Sequence, residues 1–235
     1  MLETKNLRIA HRGIFDNKVI PENSVLAFQK ALRLQIPIEF DVRLTKDEHV
    51  IVFHDHNLKR MCGVDLEVED LTLKEIKKMK LLSTNENIPT LDEVLTLIDG
   101  KVLIDIEIKE TRETNLLCDR VLQSLKDYSG DVLLKSFFPN VVKYLKKKSS
   151  YMIGLLLSNF MHYKLYSYLI SSPILIFYCQ PDFLAISKKI VKKKRFQKYR
   201  KKYPVFVWTL TSLDEFNYYF DYADNFLCNH LPYHY

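Results

Sequence analysis

The feature that most limits how this chain can fold is an alternation. Nine short runs of β-branched and aliphatic residues, at 7–10, 36–42, 50–53, 102–108, 132–135, 152–156, 183–186, 205–208 and 225–228, are too short for helices and read as strands. Between most of them lie amphipathic stretches with helical spacing, at 23–34, 72–79, 91–98, 112–125, 139–147 and 213–220. Within the first, Val25, Leu26, Phe28 and Leu32 share helical spacing, and Asn23 or Ser24 can cap it. Strand–helix alternation along a whole chain implies a parallel sheet with helical crossovers. The 235 residues suit one α/β domain, a (β/α)8 TIM-type barrel spanning 1–235. Nine strands is one too many for that barrel. The run 50–53 follows its predecessor too closely for a helix to intervene, so it is predicted to be a hairpin-like extension.

An apolar fraction of 47% supports a substantial core, and 5 Gly with 8 Pro argue against long flexible linkers. Cys62, Cys118, Cys179 and Cys228 are scattered, without CxxC or zinc spacing, and read as inert thiols in a reducing compartment. No leader pattern opens the chain, so a cytoplasmic location is expected. Charge is unevenly placed. Residues 1–118 carry 17 basic and 21 acidic side chains, and residues 119–235 carry 18 and 8. Much of the excess lies in KKIVKKKRFQKYRKK at 188–202, read either as a solvated outer helix or as a surface for peripheral contact with anionic membrane. The apolar stretch 151–178 is interrupted by polar residues and Pro173, which fits a buried strand and an apolar helix better than a membrane span.

The chemistry sits at the ends of the strand runs. Side chains two apart in a strand share a face. Glu39 and Asp41 therefore project together, as do Asp105, Glu107 and Lys109. Carboxylates inside apolar strands are costly unless something compensates them, and a hard divalent cation bound by oxygen does so. His11, followed by Arg12 and Gly13, comes just after the first strand run, and His54, followed by Asp55, just after the third. In a parallel barrel the C-terminal strand ends form the active face, where these groups are expected to converge.

These residues carry a family resemblance. HRG at 11–13, PENS at 21–24, EFDVRLTKD at 39–47 and VFHDHNLKR at 52–60 closely resemble the glycerophosphodiester phosphodiesterases, and IPTLDEVL at 88–95, IEIK at 106–109, SF at 136–137 and WTL at 208–210 follow in that family's order. The resemblance implies a (β/α)8 barrel that cleaves a small glycerophosphodiester into glycerol 3-phosphate and an alcohol. It implies His11 and His54 as the acid–base pair and Glu39, Asp41 and Glu107 as ligands of one divalent ion, Ca2+ or Mg2+. Arg12 and Lys109 would contact the phosphate, and Phe137 and Trp208 would line the substrate site. Glu22 and Asn23 would organise the surroundings of His11 and the ion, with Asp55 supporting beside His54. The implied partner is a small molecule, not nucleic acid.

The chain departs from the family's pattern at Ser24, Asp105, Thr211 and the CNHLP run at 228–232. The last two bear on the substrate rim. Two other readings compete: a phospholipase-type lyase acting on lysophospholipid or intact lipid, and a silent barrel serving as a binding module.

Overall fold

The structure, a computed structural model, describes residues 6–158 and 173–229. Its strands are β1 (Arg8–His11), β2 (Ile38–Leu44), β3 (Val50–Val52), β4 (Ile104–Ile108), β5 (Val132–Ser136), β6 (Met152–Leu157), β7 (Phe183–Ser187), β8 (Val205–Leu210) and β9 (Asn225–Cys228). The order in the sheet is β1-β9-β8-β7-β6-β5-β4-β2-β3, with β1 also paired to β2. Eight strands with helices between them form the closed (β/α)8 barrel that the alternation predicts. The ninth is β3. It pairs antiparallel with β2, Val42 opposite Val52 and Leu44 opposite Val50, as expected of a hairpin extension.

Contacts divide the chain into two compact units, residues 12–132 and residues 1–11 with 133–235. In the first unit, β2 is buried along all seven residues and runs parallel to β4. Helix α1 (Val25–Arg33) buries Ala27, Phe28 and Ala31, and Phe28 meets Phe40 of β2 at 5.6 Å between ring centres. Its N-cap is Ser24, whose hydroxyl accepts from the Ala27 amide. Asn23 is thereby left for another task. The helix Leu91–Ile98 begins where the sequence places it, with Thr90 and Glu93 forming a reciprocal cap.

The segment after β3 is less helical than 72–79 suggests. It holds short turns of helix at Lys59–Cys62, Val68–Asp70 and Leu73–Ile76, tied by isolated bridges such as Asn57–Glu67 and Lys80–Asn87. These turns close over a core of their own, in which Phe53, Leu58, Met61, Val68, Ile76 and Ile88 are buried together with Ile51 of β3. That core fixes the backbone on both sides of His54.

In the second unit β1, β9, β8, β7, β6 and β5 are parallel neighbours. Phe183 and Phe206 meet at a tilt with ring centres 4.6 Å apart, and Phe216 packs on Phe226 at 4.8 Å. His11 is the last residue of β1, one position earlier relative to the strand end than the sequence suggests. Of the run 188–202, a short helix covers Lys194–Tyr199. Lys188 is paired with Glu215, Lys192 with the Tyr218 hydroxyl and Arg200 with Asp224, while Lys189, Lys193, Lys194, Lys198, Lys201 and Lys202 are exposed. All four cysteines are free, and burial pushes Cys118 and Cys228 up to about 12, which makes them poor nucleophiles. Among the described residues no helix is long and apolar enough to cross a membrane. Residues 159–172, within the apolar stretch, and 230–232 lie outside the described residues.

Candidate active site

The parallel register of β2 and β4 sets Glu39 opposite Asp105 and Asp41 opposite Glu107. Like charges directly opposite on neighbouring strands repel, yet all four side chains are buried. Oxygen atoms of Glu39, Asp41 and Glu107 lie within 4.8 Å of one another, close enough to share one cation. Three carboxylate oxygens with no sulfur or imidazole among them form a hard donor set, which fits Mg2+ or Ca2+ rather than zinc.

Two cations of the chain border this trio. Lys109, the first residue past β4, places its ammonium 3.0 Å from Asp41 and 2.5 Å from Glu107. Burial acts against that charge, but Asp41 and Glu107 outweigh it and raise the ammonium above its usual value. The Arg12 guanidinium sits 3.3 Å from Asp41 and 2.7 Å from Glu22, and the Arg12 amide donates to Glu39 at 3.0 Å. This reach depends on a left-handed turn. Arg12 and Gly13 have φ of 59° and 78°, and a Cβ on Gly13 would come within 2.8 Å of the Ala27 side chain. Glycine is required there. Asn23, free of the capping task, donates from its side-chain amide to Asp41 at 3.0 Å, and its backbone N–H donates to the Arg12 carbonyl.

From Glu22, the partner of Arg12, a chain of ion pairs runs to His54. His54 Nδ1 lies 2.6 Å from Asp55, and a carboxylate partner makes Nδ1 the nitrogen that carries the proton. Asp55 also receives Arg60, whose guanidinium bridges to Glu22 at 2.7 Å. Burial alone would raise the Asp55 carboxyl, but hydrogen bonds from His54 and Arg60 hold it well below the usual carboxylate range. Burial would likewise raise Glu22. Arg60, Arg12 and the Asn17 amide bring it instead from an ordinary 4.5 to about 2.

A carboxyl lowered on folding adds stability that is complete above its unfolded value and fades as pH falls from about 4.5 toward 2. Arg60 is 46% exposed, so screening reduces the effect. Glu22→Gln is expected to cost about 1–2 kcal/mol at neutral pH, with the difference from the parent shrinking as pH approaches 2. Urea unfolding at several pH values measures it, and a pH-independent difference would exclude the linkage.

Two arginines that the sequence reading passes over belong to this region. Arg60 is the bridge just described. Arg43, two residues beyond Asp41 on the same strand face, is buried and donates to the backbone carbonyls of His54 at 2.9 Å and Glu110 at 3.1 Å. It ties the segment just past β3 to the segment just past β4, and so links the backbone of His54 to that following Glu107. The only signal for either was position: Arg60 ends the HDHNLKR run, and Arg43 follows the Glu39–Asp41 parity.

In the second unit, His11 Nδ1 lies 2.9 Å from the side-chain oxygen of Asn229. Asn229 falls in the CNHLP run, where the chain departs from pattern, and its role as partner of His11 was not legible from that departure. Thr211, the other departure, hydrogen-bonds Glu215 at the start of the helix Leu213–Tyr219 and serves that helix. Phe137 and Trp208 meet edge to face at 5.6 Å, and the Trp208 indole N–H donates to the Ala185 carbonyl at 2.9 Å.

Comparison with known proteins places the chain in a family. The model of the glycerophosphoryl diester phosphodiesterase family matches residues 11–223. A glycerophosphodiester phosphodiesterase of Caldanaerobacter subterraneus is 38% identical over 164 residues, covering 65% of this chain and 67% of that protein. A lysophospholipase D of Rattus norvegicus is 34% identical over 139 residues, 53% of this chain and 42% of that one. Among solved structures, a glycerophosphodiester phosphodiesterase of Thermotoga maritima superposes with a TM-score of 0.76 at 27% identity, covering 95% and 94% of the two chains. A phosphodiesterase of Oleispira antarctica, solved with the product sn-glycerol-3-phosphate, gives 0.82 at 20% identity over 95% and 93% and supports the fold.

Proposed function

This chain belongs to the glycerophosphoryl diester phosphodiesterase family and is a phosphoric diester hydrolase, and we propose that it converts small glycerophosphodiesters to glycerol 3-phosphate and an alcohol with His11 and His54 as its proton-transfer pair. The observation that carries this reading is the buried trio Glu39, Asp41 and Glu107, held in the same unit as the His54–Asp55 pair. The trio would hold one divalent ion, Ca2+ or Mg2+. When bound, such an ion neutralises phosphate charge and favours deprotonation of an attacking hydroxyl.

The side chains divide the remaining work. Arg12 and Lys109 offer positive charge to the phosphate, Arg12 through a planar guanidinium suited to two oxygens. His54 is backed by a carboxylate, so Asp55 can compensate an imidazolium there as charge develops. His11 is oriented through Nδ1 by the side-chain oxygen of Asn229. On the strength of the Asp55 carboxylate behind it, we assign His54 as proton donor to the leaving alkoxide, and His11 as acceptor from the nucleophile. Glu22 and Asn23 keep Arg12 and Asp41 in place, and Phe137 with Trp208 gives the substrate an apolar wall.

The similarity to a lysophospholipase D favours one second reading, in which the diester is a lysophospholipid. A substrate panel separates the two. Release of glycerol 3-phosphate from glycerophosphocholine and glycerophosphoethanolamine, abolished by chelator and restored by Ca2+ or Mg2+, is the expected result. Turnover confined to lysophosphatidylcholine would move the assignment to the lipid. A cyclic phosphate product, seen by phosphorus NMR, would make the enzyme a lyase. No chelator-sensitive turnover of any of these would leave a binding module.

A further inference from the structure

The second unit carries a surface that the proton-transfer machinery does not use. The helix Pro173–Cys179 exposes Ile174 and Phe177 at 78% and 73%, with Tyr178 beside them at 43%. Ile174 and Phe177 are three residues apart and so lie on one helical face. Single exposed apolar residues are ordinary, whereas these two large ones lie side by side with Tyr178. The neighbouring helix Pro139–Lys148 supplies the rim. Its Lys143 ammonium stands 3.7 Å over the Tyr178 ring, the Tyr178 hydroxyl reaches Asn140 at 3.3 Å, and Lys147 and Lys148 are exposed at its C-terminal end. Neither helix contains an acidic residue.

We infer that this face docks on an anionic bilayer surface, with Ile174 and Phe177 entering the headgroup boundary and Lys143, Lys147 and Lys148 meeting lipid phosphates. Lysine stems can lie along apolar surface while their ammonium groups reach a charged plane, and tyrosine suits the same boundary. A helix of seven residues is far too short to span, so insertion is shallow. A symmetric contact between two copies would bring the same three lysines of each together and is disfavoured by their charge. The run 188–202 adds positive charge in the same unit, but none of its large apolar side chains is exposed, so it attracts without anchoring. The inference rests on none of the residues assigned to catalysis.

Co-sedimentation of the full chain with vesicles tests it. Binding to phosphatidylcholine mixed with phosphatidylglycerol is expected, with much weaker binding to phosphatidylcholine alone and a decline at high salt. Ile174→Ser with Phe177→Ser should weaken anionic binding by more than about tenfold. Lys147→Gln with Lys148→Gln should weaken it by about fivefold per lysine. Both pairs should keep the parent's circular dichroism and its turnover of glycerophosphocholine. If the serine pair fails to fold, the glutamine pair carries the test alone. No binding to anionic vesicles would overturn the inference, as would binding that neither pair changes. Loss confined to Lys193→Gln, Lys194→Gln and Lys198→Gln would assign the contact to the 188–202 run instead. A dimer that the serine pair dissociates, with no vesicle binding, would make the face a self-association surface.

Discussion

Replacing His54 with alanine is expected to lower kcat on glycerophosphodiesters by about 10²–10⁴-fold while leaving divalent-ion affinity near that of the parent. The size follows from the role. A proton donor to a departing alkoxide contributes to the transition state alone, so its loss appears in kcat more than in KM. The separation from metal binding follows from placement. His54 bonds Asp55, and Asp55 and Arg60 connect to Glu22, whereas the carboxylate trio is framed by Arg12, Asn23 and Lys109. Asp55→Asn supplies a companion. Asparagine cannot compensate an imidazolium and can hold the ring in the wrong tautomer, so kcat is expected to fall by up to the loss seen with His54→Ala. Steady-state kinetics with glycerol 3-phosphate detection, beside calorimetric titration of the metal, decides the matter. A His54→Ala enzyme with near-parental kcat would remove His54 from proton transfer.

How much of this arrangement could be read beforehand depends on what each residue bonds to. The hairpin β2–β3 was legible because the spacing leaves no room for a helix, and the pairing of Val42 with Val52 agrees. The carboxylate trio was legible because strand parity puts Glu39 and Asp41 on one face. The register bringing Asp41 opposite Glu107 is a tertiary fact, set by the packing of β2 on β4. The choice between Asn23 and Ser24 as helix cap was open in the sequence. It resolves because only Ser24 lies within reach of the Ala27 amide, while Asn23 turns to Asp41 with a φ of 56°. Arg43 was hidden for a different reason. Its acceptors are backbone carbonyls, which every residue possesses, so no residue type in the chain announces the contact. Asn229 was hidden because its partner is 218 positions away. The short turns of helix between β3 and the helix Leu91–Ile98 were obscured because their stability comes from the small core under them more than from helical spacing.

The second large effect concerns the trio. Glu39→Gln is expected to raise the Ca2+ or Mg2+ concentration needed for half-maximal activity by at least roughly tenfold, because ligand charge largely sets affinity for hard cations. Glutamine has nearly the shape of glutamate, and its side-chain oxygen can still accept the Arg12 amide hydrogen bond now made by Glu39. The turn at Arg12 and Gly13 should therefore survive, and the loss should be one of charge at the ion. A readout independent of turnover follows from linkage. An ion that binds the folded chain alone stabilises it by about 2.7 kcal/mol at a hundred times its Kd. Thermal unfolding of the parent should thus shift upward on adding the ion, and Glu39→Gln should need proportionately more ion for the same shift. If parent and Glu39→Gln gave superimposable metal titrations in both activity and melting temperature, Glu39 would be no ligand, and the buried carboxylates would have to be balanced by the chain's own cations.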